Sequence, residues 1–225
     1  PLQTGSADRG EPMSSDAKQR EEICQIGKSL FDRGFCVGSA GNISVRFEDG
    51  FLITPTDACL GRLDPARLAR LDASGQQISG DRASKTIVLH RTIYEAGPHL
   101  NAVVHTHATH LVGLSILAQG PMDNLIPPLT AYHVMKAGRV PLLPYHRPGD
   151  PVTADLVRPL VNHCHGVMLP RIGPTFWHKS LAEASAALEE AEETAKLVFL
   201  IRGQSAHPLD AAQLSELETA FGVTW

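Results

Sequence analysis

The chain has 225 residues, of which 43% are hydrophobic and 20% charged, and its formal net charge is −4 at pH 7. These values are typical of one globular domain that buries a sizeable core. The mildly acidic balance and the scattered lysines and arginines argue against a nucleic-acid partner and a membrane partner. No apolar run approaches the ~18 residues that a membrane-spanning helix needs.

The four cysteines lie far apart in the sequence, and no two of them form a C-x-x-C pair. This spacing predicts neither a thiolate zinc site nor a disulfide framework. We interpret the cysteines as reduced thiols and expect a cytoplasmic protein.

Residues 1–15 are polar, contain glycine and serine, and show no periodicity, which predicts a flexible leader ahead of one domain over residues 16–225. The first predicted helix is capped by Asp16 and ends near Arg33, before Gly34. Two strands, a hairpin and a second helix capped by Ser84 follow: Ile43–Phe47, Phe51–Thr54, residues 71–78 and Ser84–Ala96.

The second half of the chain alternates short strands with helices. The predicted strands are residues 102–107, Val140–Pro144 and Gly166–Leu169. The predicted helices are Thr109–Leu117, Thr153–His163 with an interruption at Pro159, and Lys179–Ile201 with Ser180 at its start. Because strands and helices do not alternate one for one, the pattern predicts a single mixed α/β or α+β domain.

Two histidines stand at the end of the strand predicted for residues 102–107. His105 and His107 are two residues apart, so a strand places both imidazoles on one face, where they can share a metal ion such as zinc. The spacing alone fits equally well with ordinary polar residues at a point where a strand leaves the core.

Three short segments contain candidate anion-binding groups. Residues 41–44 (Gly-Asn-Ile-Ser) form either a nest of backbone N–H groups or a plain turn. Ser84 and Lys85 combine a hydroxyl and a cation at a predicted helix start, which favours a phosphate or carboxylate, or they are a simple cap with a solvated lysine. Residues 54–57 (Thr-Pro-Thr-Asp) are an ordinary strand end unless they line the same pocket.

Together these segments resemble the class II aldolase/adducin family. The resemblance extends from about Asp16 to Gly203 and rests on the order and spacing of four motifs: Gly41–Arg46, Leu52–Thr56, Ser84-Lys85 followed by Leu89-His90 and Ile93-Tyr94, and Ala102–His107. Within the family, Leu52–Pro65 and the Ser-Lys pair are most similar to the branch that decarboxylates 3-oxo-tetronate 4-phosphates. The fuculose-phosphate aldolase branch typically has a second serine in place of Lys85.

The resemblance implies a three-layer α/β/α fold around a largely antiparallel sheet, assembled as a homotetramer with the site between neighbouring subunits. It implies a divalent metal, zinc above all, held by His105 and His107 and acting as a Lewis acid on an enediolate. Lys85 would suit the substrate carboxylate or phosphate. The positions that match the family's phosphate-binding residues are Gly41, Asn42, Ser44, Thr56, Asp57 and Ser84.

Two positions depart from the family pattern. Thr86 stands where the family has its acidic catalytic residue, and Ile172 stands where it has a third zinc histidine. Threonine cannot act as a carboxylate base, and isoleucine offers no lone pair. The candidates to replace the lost ligand are His110, His133 and His178.

Three aromatic residues have two interpretations each. Tyr132 falls near the position of a tyrosine acid that the family supplies from the neighbouring subunit, or it is an interfacial aromatic. Phe176 and Trp177 wall a pocket, or they are core residues.

These observations support two hypotheses about function. The first is a metal-dependent lyase, a decarboxylase or retro-aldolase, acting on a phosphorylated sugar acid or ketose phosphate through an enediolate. The alternative is a diverged scaffold with lost or repurposed activity, as in the adducin head, because Thr86 and Ile172 replace the acid and the third ligand.

Overall fold

The computed structural model describes residues 14–225. The predicted leader therefore falls outside the described residues, except for its last two. Ser14 caps the first helix, α1 (Ser15–Asp32), by accepting a hydrogen bond from the backbone N–H of Ala17. The prediction that Asp16 is the cap is wrong, because Asp16 lies in the first turn and pairs with Arg20 at 2.9 Å.

One seven-stranded sheet forms the centre of the domain, and all its strand pairs are antiparallel. In chain order the strands are β1 (Asn42–Phe47), β2 (Gly50–Ile53), β3 (Ala69–Leu71), β4 (Gln77–Ser79), β5 (Ala102–His105), β6 (Gly166–Leu169) and β7 (Gly173–His178). Their order across the sheet is β4-β3-β2-β1-β5-β7-β6. The predicted mixed α/β domain with a largely antiparallel sheet is confirmed.

Residues 14–225 contain six further α-helices: α2 (Ile87–Ala96), α3 (Thr109–Leu117), α4 (Ala131–Lys136), α5 (Val152–Val157), α6 (Leu181–Leu200) and α7 (Ala211–Phe221). Pro159 interrupts the helix predicted over residues 153–163, as expected, because α5 ends at Val157 and a 3-10 turn, Arg158–Leu160, follows. None of the helices in residues 14–225 is long and apolar enough to cross a membrane.

The sheet separates two hydrophobic clusters, which gives the three layers. Alternate strand residues enter opposite clusters: Val104 and Phe176 pack with α1, α3 and α6, whereas Val103 and Trp177 pack with α2 and α5. Phe176 and Trp177 are fully buried, and the Trp177 indole N–H donates to the Val161 and Cys164 carbonyl oxygens. Both aromatics are therefore core residues.

Two predicted boundaries need correction. Helix α2 begins at Ile87 and not at Ser84, whose hydroxyl lies 2.8 Å from the Thr86 hydroxyl instead of capping the helix. The strand predicted for Val140–Pro144 does not form, since Leu142 makes only isolated bridges to Met122 and Met168.

Three elements lacked a sequence signal. Strand β7 is buried on both faces, so its sequence shows no alternation of polar and apolar residues. Helix α4 is only six residues long. Helix α7 has no buried residue and lies beyond the family resemblance.

Candidate active site

A cavity of about 490 Å³ opens where β1 begins, β5 ends and α2 starts. It contains nine of the predicted site residues: Gly41, Asn42, Thr56, Asp57, Ser84, Lys85, Thr86, His105 and His107. Ser44 and Tyr132 are not among its lining residues. We call the part around Gly41, Asn42, Thr56, Asp57, Ser84 and Lys85 the anion end, and the part around His105, His107, Thr86 and Ile172 the histidine end.

The register between β1 and β5 places the anion end and the histidine end of the cavity side by side. Asn42 is the direct partner of His105 in the sheet, so both side chains project from the same face. Asn42 is 6% exposed, and its Oδ1 has no hydrogen-bond partner within the described residues. Gly41 adopts a φ of +89°, and a Cβ there would lie 2.9 Å from the His105 carbonyl oxygen. Only glycine fits this close approach without strain.

The anion end offers unpaired donors from two segments. Asp57 has a φ of +57°, a left-handed conformation typical of tight loops that expose backbone N–H groups. Within residues 14–225, neither the Asp57 nor the Lys85 backbone N–H donates to a protein acceptor, and the Lys85 ammonium forms no ion pair. Ser84 is buried beside them. This end therefore combines free N–H groups, hydroxyls and one cation, which suits a phosphate.

His105 is held in one tautomer by the strand beside it. Its Nδ1 lies 2.9 Å from the Pro174 carbonyl oxygen and 3.0 Å from the Thr175 hydroxyl. Because a carbonyl oxygen only accepts, Nδ1 carries the proton and Nε2 keeps its lone pair. Burial lowers the pKa of His105 to about 3, with a further contribution from His107, so the ring is neutral at pH 7.

His107 lies two residues beyond the last bridge of the sheet. The prediction that one strand places both imidazoles on its face is wrong, because β5 ends at His105. The rings nevertheless meet, with centroids 5.3 Å apart and planes inclined at 76°. Partial burial lowers the pKa of His107 below its ordinary value. Both rings are thus available as neutral nitrogen ligands.

The loop between β6 and β7 reaches the histidines but brings no third ligand. Ile172 lines the cavity, and Arg171 before it has a φ of +62°. A Cβ on Gly173 would lie 1.9 Å from the Thr106 carbonyl oxygen, so this loop packs directly on the backbone between the two histidines. Across residues 14–225, no three His, Cys, Asp or Glu side chains are arranged to hold a metal ion.

The three histidines considered as replacements are not among the residues that line the cavity. The His110 Nδ1 lies 2.8 Å from the buried Glu192 carboxylate, and His178 lies 3.2 Å from Glu183. His133 is fully buried, with its ring 5.8 Å from that of Trp225. None of them supplies the third ligand.

Two predicted site residues lie away from the cavity surface. Ser44 is fully buried one layer beneath it, with its hydroxyl 2.7 Å from His90 Nδ1 and 2.8 Å from the Tyr94 hydroxyl. Tyr132 lies on α4 and is 61% exposed. Any contact of Tyr132 with a substrate would require a second subunit.

Sequence reasoning missed other groups in the cavity wall. His90 lines it from α2, and residues 147–151 line it from the loop before α5. The i, i+4 spacing of His90 and Tyr94 could have indicated a shared face of α2. Arg147 gave no signal, because a lone arginine in a loop has no pattern to reveal it.

Comparison with known proteins gives a consistent result. Residues 21–199 match the family model described as Class II Aldolase and Adducin N-terminal domain. The chain is 52% identical over 217 residues to the 3-oxo-tetronate 4-phosphate decarboxylase of Cupriavidus necator, covering 95% of this chain and 100% of that protein. It is 32% identical over 188 residues to the L-fuculose phosphate aldolase of Methanococcus vannielii, covering 83% and 97%.

The fold has a similarly close counterpart among solved structures. The crystal structure of YgbL from Escherichia coli superposes with a TM-score of 0.88 at 41% sequence identity, covering 91% of this chain and 99% of that one. The similarity therefore extends over most of the sheet and its surrounding helices.

Proposed function

The chain belongs to the class II aldolase and adducin family, as its motifs predicted, and from that premise we propose that it decarboxylates a 3-oxo-tetronate 4-phosphate. The observation that carries this proposal is the pairing of Asn42 with His105, which joins a phosphate-binding loop to neutral imidazoles in one cavity. The 52% identity to a protein of that activity over its whole length supports the same substrate class.

The two anionic groups of such a substrate match two cations in the cavity. Lys85 and Arg147 both line it, and within residues 14–225 neither forms an ion pair. We assign the phosphate to the anion end, where Gly41, Asn42 and Ser84 surround it. Lys85 or Arg147 then remains to bind the carboxylate, which is attached to the carbon at which the bond breaks.

The histidine end fits a divalent metal ion as two of its ligands. Class II aldolases generally depend on a divalent metal. His105 presents a lone pair on Nε2 and His107 lies beside it, so both rings would hold the ion, with oxygens of substrate or water filling the remaining positions. When bound, such an ion supplies Lewis-acid stabilisation of a negatively charged oxygen. Zinc is our specific proposal because it accepts imidazole nitrogen readily.

Decarboxylation suits this cavity better than a retro-aldol reaction. In a 3-oxo acid the C1–C2 bond breaks as CO₂ leaves, and its electron pair moves onto the C3 oxygen. No base is needed to start that step, whereas retro-aldol cleavage first requires removal of a hydroxyl proton. Thr86 stands where the family base is expected, so the reaction that needs no base is the one that this chain can retain.

The remaining wall of the histidine end is apolar. Leu89, Leu169 and Ile172 line the cavity there. Low polarity around the reacting carbonyl group strengthens hydrogen bonds to the oxygen on which negative charge develops. Protonation of C2 then gives a three-carbon ketose phosphate, dihydroxyacetone phosphate.

We also propose that the active form is a cytoplasmic homotetramer. The exposed Tyr132 is the residue that would reach a neighbouring subunit's cavity, where its hydroxyl could donate a proton to the product. Sedimentation equilibrium of the wild-type chain and of Tyr132→Phe tests this assembly. Tetramers in both proteins, with slower turnover in the variant, are expected, and a monomeric wild type would contradict the proposal.

The decisive test of the reaction follows both products. Full-length chain is incubated with 3-oxo-tetronate 4-phosphate and zinc, while released CO₂ and dihydroxyacetone phosphate are measured in parallel. We expect equal amounts of both products and at least a hundredfold slower release by His105→Ala. A wild type that releases neither product, yet binds a stable analogue, would instead support the scaffold alternative that Thr86 and Ile172 raise.

A further inference from the structure

His90 is a polar side chain in the cavity wall that the proposed reaction has not yet used. It projects from α2, it is fully buried, and it lines the cavity. Its Nδ1 lies 2.7 Å from the Ser44 hydroxyl, whereas its Nε2 has no hydrogen-bond partner within the described residues. A buried nitrogen without a protein partner, on a residue that lines a cavity, indicates a group awaiting a ligand or water.

The hydrogen bonds behind His90 determine which nitrogen carries the proton. Ser44 has one hydroxyl hydrogen and lies between two groups, His90 Nδ1 at 2.7 Å and the Tyr94 hydroxyl at 2.8 Å. Burial raises the pKa of Tyr94, so Tyr94 keeps its proton and must donate it. Within residues 14–225, Ser44 is the only side-chain partner of that hydroxyl.

Only one arrangement gives both hydroxyl protons, those of Ser44 and Tyr94, an acceptor within residues 14–225. Tyr94 donates to Ser44, Ser44 donates to Nδ1 of His90, and the imidazole proton therefore resides on Nε2. In the reverse direction Ser44 would donate to Tyr94, and the buried Tyr94 proton would have no side-chain acceptor. Burial, together with the nearby His105, lowers the pKa of His90 to about 3, so the ring is a neutral donor at pH 7.

We propose that His90 presents a neutral Nε2–H donor to the cavity and that this donor binds the substrate oxygen on which negative charge develops. This inference rests on the proposed decarboxylation. Because this donor is buried and held in place, it does not have to move when negative charge forms on the substrate oxygen. The apolar surroundings strengthen the hydrogen bond between them. His90 is thus a catalytic residue, and Ser44 and Tyr94 are positioning residues that fix its tautomer.

The tautomer can be measured directly in the resting protein. Full-length chain labelled with ¹⁵N-histidine is examined by long-range ¹H–¹⁵N spectra, which distinguish a protonated from an unprotonated nitrogen in each ring. We expect a protonated Nε2 in His90 and a shift of its signal on adding erythronate 4-phosphate, a stable analogue with both anionic groups. In Ser44→Ala the preference for this tautomer should weaken. A wild-type His90 protonated on Nδ1, or one whose signal ignores the analogue, would overturn the inference.

Two substitutions at position 90 distinguish the loss of the Nε2–H donor from a loss of folding. Glutamine places an N–H near the position of Nε2, whereas the shorter asparagine replaces only the Nδ1 side that contacts Ser44. We expect His90→Asn to lower kcat at least a hundredfold with KM changed less than threefold, and His90→Gln to stay within tenfold of wild type. Equal losses in both variants would overturn the inference. The tautomer of His90 and its analogue-induced shift can both be measured without turnover. A protein that releases no CO₂ would refute the proposed reaction, while these two measurements would still test the Nε2–H donor.

Discussion

The anion end and the histidine end of the cavity share a wall but differ in how complete they are. At the anion end, every predicted phosphate-binding residue except Ser44 lines the cavity, and Lys85 is unpaired within residues 14–225. At the histidine end, the two imidazoles are present, but Thr86 and Ile172 occupy the positions of an acid and a third ligand. The groups that suit an anion and the groups that suit a metal ion therefore lie in separate parts of one cavity.

The backbone around the histidine end is closely packed. Gly173 still allows the β6–β7 loop to pack against Thr106, and the Pro174 carbonyl still fixes the tautomer of His105. We therefore expect that donors introduced at positions 86 and 172 require substitution alone, without rebuilding the loop.

The largest expected effect comes from restoring the two donors. In the double variant Thr86→Glu with Ile172→His, zinc should bind at least about a hundredfold more tightly, because a two-ligand site becomes a four-ligand site. A competition titration against a chromophoric chelator measures this affinity. The control Ile172→Leu, which keeps an apolar side chain, should leave it unchanged. Unaltered zinc affinity in the double variant would show that the loop does not place residue 172 against the histidines.

A smaller effect is expected at the anion end. Lys85→Met removes a cation that contacts the phosphate or carboxylate, and one charged hydrogen bond is worth about 1.5–3 kcal/mol, or roughly 10- to 150-fold in affinity. Calorimetric titration with erythronate 4-phosphate should show that loss, while zinc affinity stays within about twofold of wild type. Lys179→Met, outside the cavity, is the matched control. Loss of zinc binding in Lys85→Met would contradict the independence of the two ends.

The smallest expected effect is the pH dependence of zinc affinity at the histidine end. A free imidazole of pKa about 6.5 would lose roughly fourfold in metal affinity between pH 7.5 and 6.0, because protonation competes with the ion. Burial lowers the pKa of His105 to about 3 and lowers that of His107, so both rings stay neutral to lower pH. Zinc affinity, measured calorimetrically at both pH values, should fall less than fourfold in total. A fall of about 15-fold, as expected for two ordinary imidazoles, would contradict the burial of the pair.

Much of this architecture could be predicted from local sequence signals. Helix α3 has the predicted bounds, Thr109–Leu117, and α6 begins after Ser180, which accepts from the Glu183 N–H as its motif indicated. Signals of this kind depend on residues three or four positions apart, so the sequence displays them directly. The motif order also predicted which loops meet at the anion end.

The rest depends on contacts between distant segments. Ser44 matched a phosphate-binding position, yet its hydroxyl is engaged by His90 and Tyr94, which are 46 and 50 residues away. His110 is a candidate ligand by its sequence, but its Nδ1 lies 2.8 Å from the carboxylate of Glu192, which is 82 residues away. Such pairings follow from the packing of α2 and α6 on the sheet, and no local pattern encodes them.

The central claim is that one cavity holds a phosphorylated sugar acid at one end and a divalent ion at the other. Crystals of the wild-type chain soaked with zinc and erythronate 4-phosphate test it by anomalous diffraction at the zinc edge. We expect a zinc peak within bonding distance of His105 and His107, and phosphate density against Ser84 and Lys85 of the same cavity. Zinc bound elsewhere, or phosphate density outside the anion end, would contradict the account.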